Sequence, residues 1–166
     1  MMNENNNGNT LNLDLDRVQE NLFIGSAVGM TDENLPELKE RGIKAILNLM
    51  MTCRYDPGPD FHFLHKPLPD GEPFPRRDIE EMLGFIEKHV EIGGVLVHCA
   101  AGISRSGSII TAWVLRQHPS WSWDDAIERV RRYRHILPHP SIKNSVLDYL
   151  EEKEGIRREA TAGWDF

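Results

Sequence analysis

The apolar, β-branched run Val95-Leu96-Val97 ends in His98-Cys99, and the small residues Ala100-Ala101-Gly102-Ile103-Ser104 then lead into Arg105-Ser106-Gly107. A helical pattern follows at once, at Ile109, Ile110, Trp113, Val114 and Leu115. Strand, tight loop and helix in that order demand a covered sheet with its loops gathered at one edge. A loop of small residues entering a helix N-terminus points several backbone N–H groups into one concavity, and the helix dipole adds positive potential there. A dianionic phosphate fits such a cradle, and Arg105 can grip two of its oxygens together. The same field favours thiolate over thiol at Cys99, and a thiolate beneath a bound phosphate is placed for in-line attack on phosphorus. A lone cysteine at a strand end would be a small core residue. Here Cys, Gly, Arg and Ser stand together at useful offsets, which favours the chemical reading.

The rest of the chain supplies the setting. Leu11, Leu13 and Leu15 alternate with Asn12, Asp14 and Asp16, as a short edge strand or an extended tail would. Residues 18–25 read as two short strands about a Glu20-Asn21 turn. Thr31-Asp32 can cap a helix through Leu35, Leu38 and Arg41 that Gly42 stops, with Pro36 in its first turn. Residues 43–49 have the apolar density of a buried strand, and 61–66 alternate as another, with Phe61, Phe63 and His65 on one face. A loop spans 50–60 between them. The stretch 67–75 holds four prolines around Asp70-Gly71 and reads as a second loop. Asp78 opens a helix that places Ile79, Met82, Leu83, Ile86, His89 and Val90 on one face and ends at Gly93-Gly94. The helix after Arg105 should run to about His118. Ser122 and Asp125 have capping-box spacing ahead of Ala126, Ile127 and Val130. Ser141 should start the last helix, with Ile142, Val146, Leu147 and Leu150 inward and Gly155 at its close.

Strands alternating with helices predict an α/β fold, a largely parallel central sheet flanked by helices. The Cys99 loop then leaves the carboxyl end of a strand, where ligands bind in such sheets. A length of 166 residues suits one domain with a sizeable core. Residues 11–155 are expected to form it, between a disordered Asn-rich tail at 1–10 and a C-terminal tail at 156–166.

Residues 98–107, HCAAGISRSG, resemble the HCxxGxxR signature of the cysteine-dependent protein phosphatases, and the SRS ending resembles the small, atypical dual-specificity branch. The resemblance runs from about Arg17 to Glu152. It implies a dual-specificity phosphatase-like fold with Cys99 as nucleophile. Arg105 would hold the phosphate and stabilise charge on its equatorial oxygens. The N–H groups of Ala100, Ala101, Gly102, Ile103, Ser104 and Arg105 would complete the cradle. Ser106 can donate its hydroxyl to the Cys99 sulfur and make it a better leaving group, cap the following helix, or do both. His98 would brace the loop through hydrogen bonds. The run Arg129, Arg131, Arg132, Arg134, His135 reads as a solvated helix face, but Arg134 matches a family arginine that supports the pocket. Similar chains continue with Pro-Asn soon after it. This one has Pro138-His139-Pro140, which leaves the pocket rim undefined.

A thiolate attacking an unactivated phosphoester needs a proton for the departing oxygen, supplied from the opposite side of phosphorus. Asp70 is the candidate, in a proline-fixed loop with a glycine hinge, where the family carries its acid on a mobile loop. Asp-Gly is otherwise a common turn, and Glu72 and Asp60 are the alternatives.

The resemblance implies a phosphomonoester hydrolase acting on phosphotyrosine, and on phosphoserine or phosphothreonine, in phosphoprotein substrates. The alternative keeps the chemistry and changes the substrate to a phosphoinositide, phosphatidylglycerophosphate or RNA 5′-phosphate. Phosphatases of highly anionic lipid heads often place lysine inside the loop, where this chain has Ala100, Ala101 and Ile103. A phosphate-binding module without chemistry is a third class, against which Cys99, Arg105 and Ser106 argue. The implied chemistry uses no cofactor and no metal, and His62 and His65 lack nearby acids at ligand spacing. A formal net charge of −7 argues against nonspecific nucleic-acid binding. No apolar run suits membrane insertion, and the first ten residues lack the basic and apolar regions of a secretory signal. Two cysteines far apart in sequence fit a reducing, cytoplasmic setting. Cys53 is either an oxidation partner for Cys99 or a plain loop thiol. Trp121 and Trp123 are expected to serve packing, and the chain to act as a monomer.

Overall fold

Strand β5 (Gly94–His98), the run ahead of Cys99, is buried at every residue. A strand can be so only with neighbours on both edges and layers on both faces. A computed structural model describes residues 11–156 of the chain. The tail expected at 1–10, and all but Ile156 of the one expected at 156–166, lie outside the described residues.

The other strands are β1 (Leu15–Gln19), β2 (Leu22–Gly25), β3 (Ile43–Asn48) and β4 (His62–His65). The sheet has five strands in the order β1-β2-β5-β3-β4. β5 runs parallel to β2 and β3, and β3 parallel to β4, while β1 closes one edge antiparallel to β2. The largely parallel sheet is therefore as expected. Register aligns Gly25, His98 and Asn48 across three adjacent strands, so β2, β5 and β3 end level. That common carboxyl edge carries the Cys99 loop.

The helices are α1 (Leu35–Glu40), α2 (Arg76–Val90), α3 (Arg105–Gln117), α4 (Trp123–Arg131) and α5 (Pro140–Glu154). Side-chain alternation along the sheet divides the core. Val95 and Val97 join Ile24, Ala45 and Leu47 in a large cluster with α2 to α5, whereas Leu96 turns the other way with Phe23, Ile46, Met30 and Leu38. An irregularity between Ile43 and Ala45 in the pairing with β5 shifts the phase, which puts Ile43 beside Ile46. α3 is buried from Arg105 to Leu115, as befits a central helix apolar around most of its girth.

Several ends differ from expectation for local reasons. The first helix splits into a 3-10 turn, Asp32–Asn34, and α1, and the Thr31 side chain caps neither. α2 begins at Arg76, two residues before Asp78, because extended Pro75 precedes it and Asp78 pairs with Lys66 instead. Ser122 and Asp125 do form the reciprocal capping box of α4. α5 starts at Pro140 and not at Ser141, and the His139 ring accepts the Ser141 N–H as its cap. Ile156 is buried and donates its N–H to the Leu150 carbonyl, so the folded unit includes it. Residues 11–14 form neither strand nor free tail. Asn34 Nδ2 bonds the Leu11 carbonyl and Ser26 N–H bonds that of Asp14.

Candidate active site

Between β5 and α3 the chain turns around an open centre, and the carbonyls of residues 100–103 face outward. The Ala100 carbonyl accepts from Ala27 N at 2.9 Å and that of Ile103 from Leu137 N at 3.1 Å. Arg134 takes the two between: Nη2 donates to the Ala101 carbonyl at 3.0 Å and Nε to that of Gly102 at 2.8 Å. Among the described residues no peptide bond is cis. In a trans peptide the N–H opposes its C=O, so outward carbonyls at 100–103 turn the N–H groups of Ala101, Gly102, Ile103 and Ser104 toward the centre. Gly102 makes the bend at φ +70°, and a Cβ there would lie 2.6 Å from the Gly25 carbonyl. Only glycine meets both conditions.

Cys99 lies at the base of this loop, 2% exposed, with Sγ 3.1 Å from Ser106 Oγ. Ser106 sits within the first turn of α3. The N-cap position belongs to Ser104, so the capping role considered for Ser106 is not realised. Arg105 is 8% exposed. Its Nη1 donates to the carbonyls of Leu68 at 2.9 Å and Leu49 at 3.3 Å, while its buried Nε has no partner among the described residues. A buried guanidinium donor left unpaired is costly unless a ligand completes it. The edge pinned by Leu49 and Leu68 leaves the opposite donors for an anion.

Asp70 stands over the loop, its Oδ1 accepting the Ser104 hydroxyl at 2.9 Å. Its segment is fastened at three further points. The Leu68 carbonyl is bound by Arg105, the Gly71 carbonyl accepts Ser141 Oγ at 2.6 Å, and Phe74 N donates to Ser145 Oγ at 3.0 Å. The rim left undefined by Pro138-His139-Pro140 is built by His139, whose N–H donates to Ser104 Oγ at 3.1 Å. Of the alternatives, Asp60 pairs with Lys39 away from the loop, and Glu72 is exposed beyond Gly71.

His98 is buried behind Cys99, with Nε2 2.7 Å from the Tyr55 hydroxyl. Burial holds its pKa down to about 4, so the ring is neutral near pH 7. Asn48 Nδ2 in turn donates to the Tyr55 oxygen at 3.3 Å. Tyr55 and Asn48 escaped sequence reasoning, since neither loop 50–60 nor a buried strand end marks a polar partner. Arg134 does touch the loop, and its far side is gripped by Asp14 and Asp16, two further residues not anticipated.

Other sequence candidates fall away from the site. His62 stacks against His89 with ring centroids 4.5 Å apart, while His65 Nε2 bonds the Met50 carbonyl, so the two diverge. Cys53 is a free thiol bonded to the Tyr55 carbonyl, packed with the cluster on the α1 side of the sheet; Cys99 belongs to the opposite cluster. Trp123 is buried in the core, and Trp121 stacks on His118 at 3.8 Å. Among the described residues no helix is long and apolar enough to cross a membrane.

A thiol beneath inward amides, an arginine with an unspent edge and a carboxylate above, all at the carboxyl edge of a parallel sheet, define a cysteine-dependent phosphatase. The chain belongs to the family described as "Dual specificity phosphatase, catalytic domain", which matches residues 22–152. It is 33% identical over 146 residues to human dual specificity protein phosphatase 16, covering 80% of this chain and 20% of that protein. It is 30% identical over 150 residues to dual specificity protein phosphatase 1B of Arabidopsis thaliana, covering 86% of this chain and 85% of that one. The chain thus spans a fifth of one relative and most of another. The crystal structure of human DUSP28 superposes with a TM-score of 0.70 at 26% identity, over 83% of this chain and 93% of its own.

Proposed function

We propose that the chain hydrolyses phosphotyrosine, and phosphoserine or phosphothreonine, in proteins through a cysteinyl-phosphate. The observation that carries this reading is the buried Nε of Arg105, without a partner among the described residues, beside the inward N–H groups above Cys99. Family membership supports a phosphoprotein as the substrate class.

In the first step Cys99 Sγ bonds to phosphorus as the P–O bond to the side chain breaks. The departing oxygen takes a proton from the Asp70 carboxyl. Negative charge on the three equatorial oxygens is met by Arg105 and the amides of residues 100–105, donors that need no rearrangement at the moment of transfer. Asp70, then a carboxylate, takes a proton from a water that attacks phosphorus, and the S–P bond breaks. Ser106, 3.1 Å from the sulfur, donates to the departing thiolate. His98 and Arg134 position the loop.

The test is a panel: phosphotyrosine, phosphoserine and phosphothreonine peptides against phosphoinositides, phosphatidylglycerophosphate and a 5′-phosphorylated RNA, with a small aryl phosphate as reference. Turnover of peptides above the others is expected. Preference for a lipid or RNA would overturn the substrate class, and absence of any turnover would overturn the chemistry.

A further inference from the structure

Arg134 uses all five of its N–H donors. Two hold the Ala101 and Gly102 carbonyls; the other three go to Asp14 Oδ1 at 3.1 Å, Asp14 Oδ2 at 2.9 Å and Asp16 Oδ2 at 3.0 Å. We propose that Asp14 and Asp16 are positioning residues for the phosphate loop, acting through Arg134 to keep the Gly102 and Ile103 N–H groups turned toward a bound phosphoryl group. The inference rests on the phosphatase reading above.

The argument is geometric. A guanidinium is a rigid plane, so gripping its far edge orients its near edge. Asp14 takes two of the three outer bonds, one with each carboxylate oxygen, and Asp16 takes the third. Both acids reach one side chain because residues two apart in an extended chain share a face. Leu13 and Leu15, before and between them, pack instead against the α1-side cluster. The strap itself is held: Ser26 N–H bonds the Asp14 carbonyl at 3.0 Å and Asp16 pairs with Ile24 in the sheet. Arg134 donates so strongly that Asp14 lies below the usual carboxylate range despite its partial burial.

Arg134 lies directly against the loop. Its Nη2 lies 2.6 Å from the point where a Cβ would stand on Gly102, so no side chain separates it from the loop. Without its two carboxylates, a guanidinium that is only 10% exposed is left with unpaired donors beside an anion site. It then turns from the carbonyls, and the peptide groups at 101–103 lose their fixed sense. Arg134 held by Asp14 and Asp16 is thus a brace for the loop, and Arg134 released no longer fixes the sense of its peptide groups.

The experiment uses the full chain with Asp14→Asn and Asp16→Asn combined, which keeps shape and removes charge. Binding of inorganic phosphate and of vanadate is measured by titration calorimetry, and kcat and KM on a small aryl phosphate beside it. Both dissociation constants and KM should rise together by roughly tenfold or more, with a smaller fall in kcat, since small misplacements of binding groups carry effects of that size. Asp14→Glu, which preserves the carboxylate, should stay near the unsubstituted chain. If the double variant does not fold, Asp16→Asn alone should show the same pattern at lower amplitude. Unchanged phosphate and vanadate binding would overturn the proposal. So would a loss confined to kcat with a lowered melting temperature, because that marks a merely structural role. Calorimetry needs no turnover, so an inert unsubstituted chain that still binds phosphate would count against the phosphatase reading alone.

Discussion

Ser104 Oγ donates to Asp70 Oδ1 at 2.9 Å, so a residue of the Cys99 loop holds the carboxylate of a different segment. The same oxygen accepts the His139 N–H at 3.1 Å. One hydroxyl therefore joins the Cys99 loop, the Asp70 segment and the start of α5.

Asp70→Asn should lower turnover of phosphopeptides by about 10²–10⁴, the usual range of general acid help. An activated aryl phosphate, whose oxygen leaves without a proton, should lose far less. Ser104→Ala should show the same dependence on leaving group with smaller amplitude, because one hydrogen bond is worth about 1 kcal/mol. The rate of the phosphorylation step is measured across leaving groups of graded basicity. An equal loss at every leaving group would reduce Asp70 to a turn residue.

Cys99→Ser should abolish turnover and retain phosphate binding, since the amides and Arg105 remain. Arg105→Lys should lose both activity and affinity, because an ammonium cannot hold Leu49 and Leu68 on one edge and an oxyanion on the other. Appreciable hydrolysis by pure Cys99→Ser protein would refute a covalent route. Rates and inorganic phosphate binding are the two readouts.

Gly102→Ala should damage the site more than its size suggests. The new methyl meets the Gly25 carbonyl at 2.6 Å with φ at +70°. Relief requires rotating the peptide groups that Arg134 holds. Vanadate affinity should fall by tenfold or more while the circular dichroism of the sheet and helices is retained. Unaltered vanadate binding would show that the loop tolerates the side chain.

His98 should make the fold acid-sensitive. Its pKa falls from the ordinary 6.5 to about 4 on burial, so between those values the unfolded chain binds a proton that the folded one refuses. The stability this supplies is complete above about pH 6.5 and is lost as pH falls through about 4. Melting temperatures of the wild type and His98→Asn should converge toward low pH, with the wild type falling more steeply. Parallel curves would remove His98 from the acid response.

The strand, loop and helix around Cys99 were legible because their signals are local: a β-branched run, small residues, then helical spacing. The capping box at Ser122 and Asp125 was legible for the same reason. Asp70 was harder, since its meeting with Ser104 is set by how two loops fold over one sheet edge. Asp14 and Asp16 were out of reach. Asp14 is 120 positions from Arg134, and no pattern within either segment announces the other. Tyr55 escaped likewise, because a polar partner for a buried histidine can arrive from any loop that passes the strand end. His139 shows the converse: a departure from the family pattern that the structure turns into a cap and a rim contact.

The four tethered carbonyls also bear on the end of the reaction cycle. A mould set before its guest arrives does not relax when the guest has changed. Under the proposed mechanism inorganic phosphate, once formed, would meet the same amides that received the phosphoryl group and compete for them by simple occupancy. Nor does such a mould distinguish one alcohol from another, because it measures only the tetrahedral tip. Under that mechanism discrimination would fall to the side chains around the loop, where Asp70 and His139 both meet Ser104 and Gly71 lies against the His139 ring.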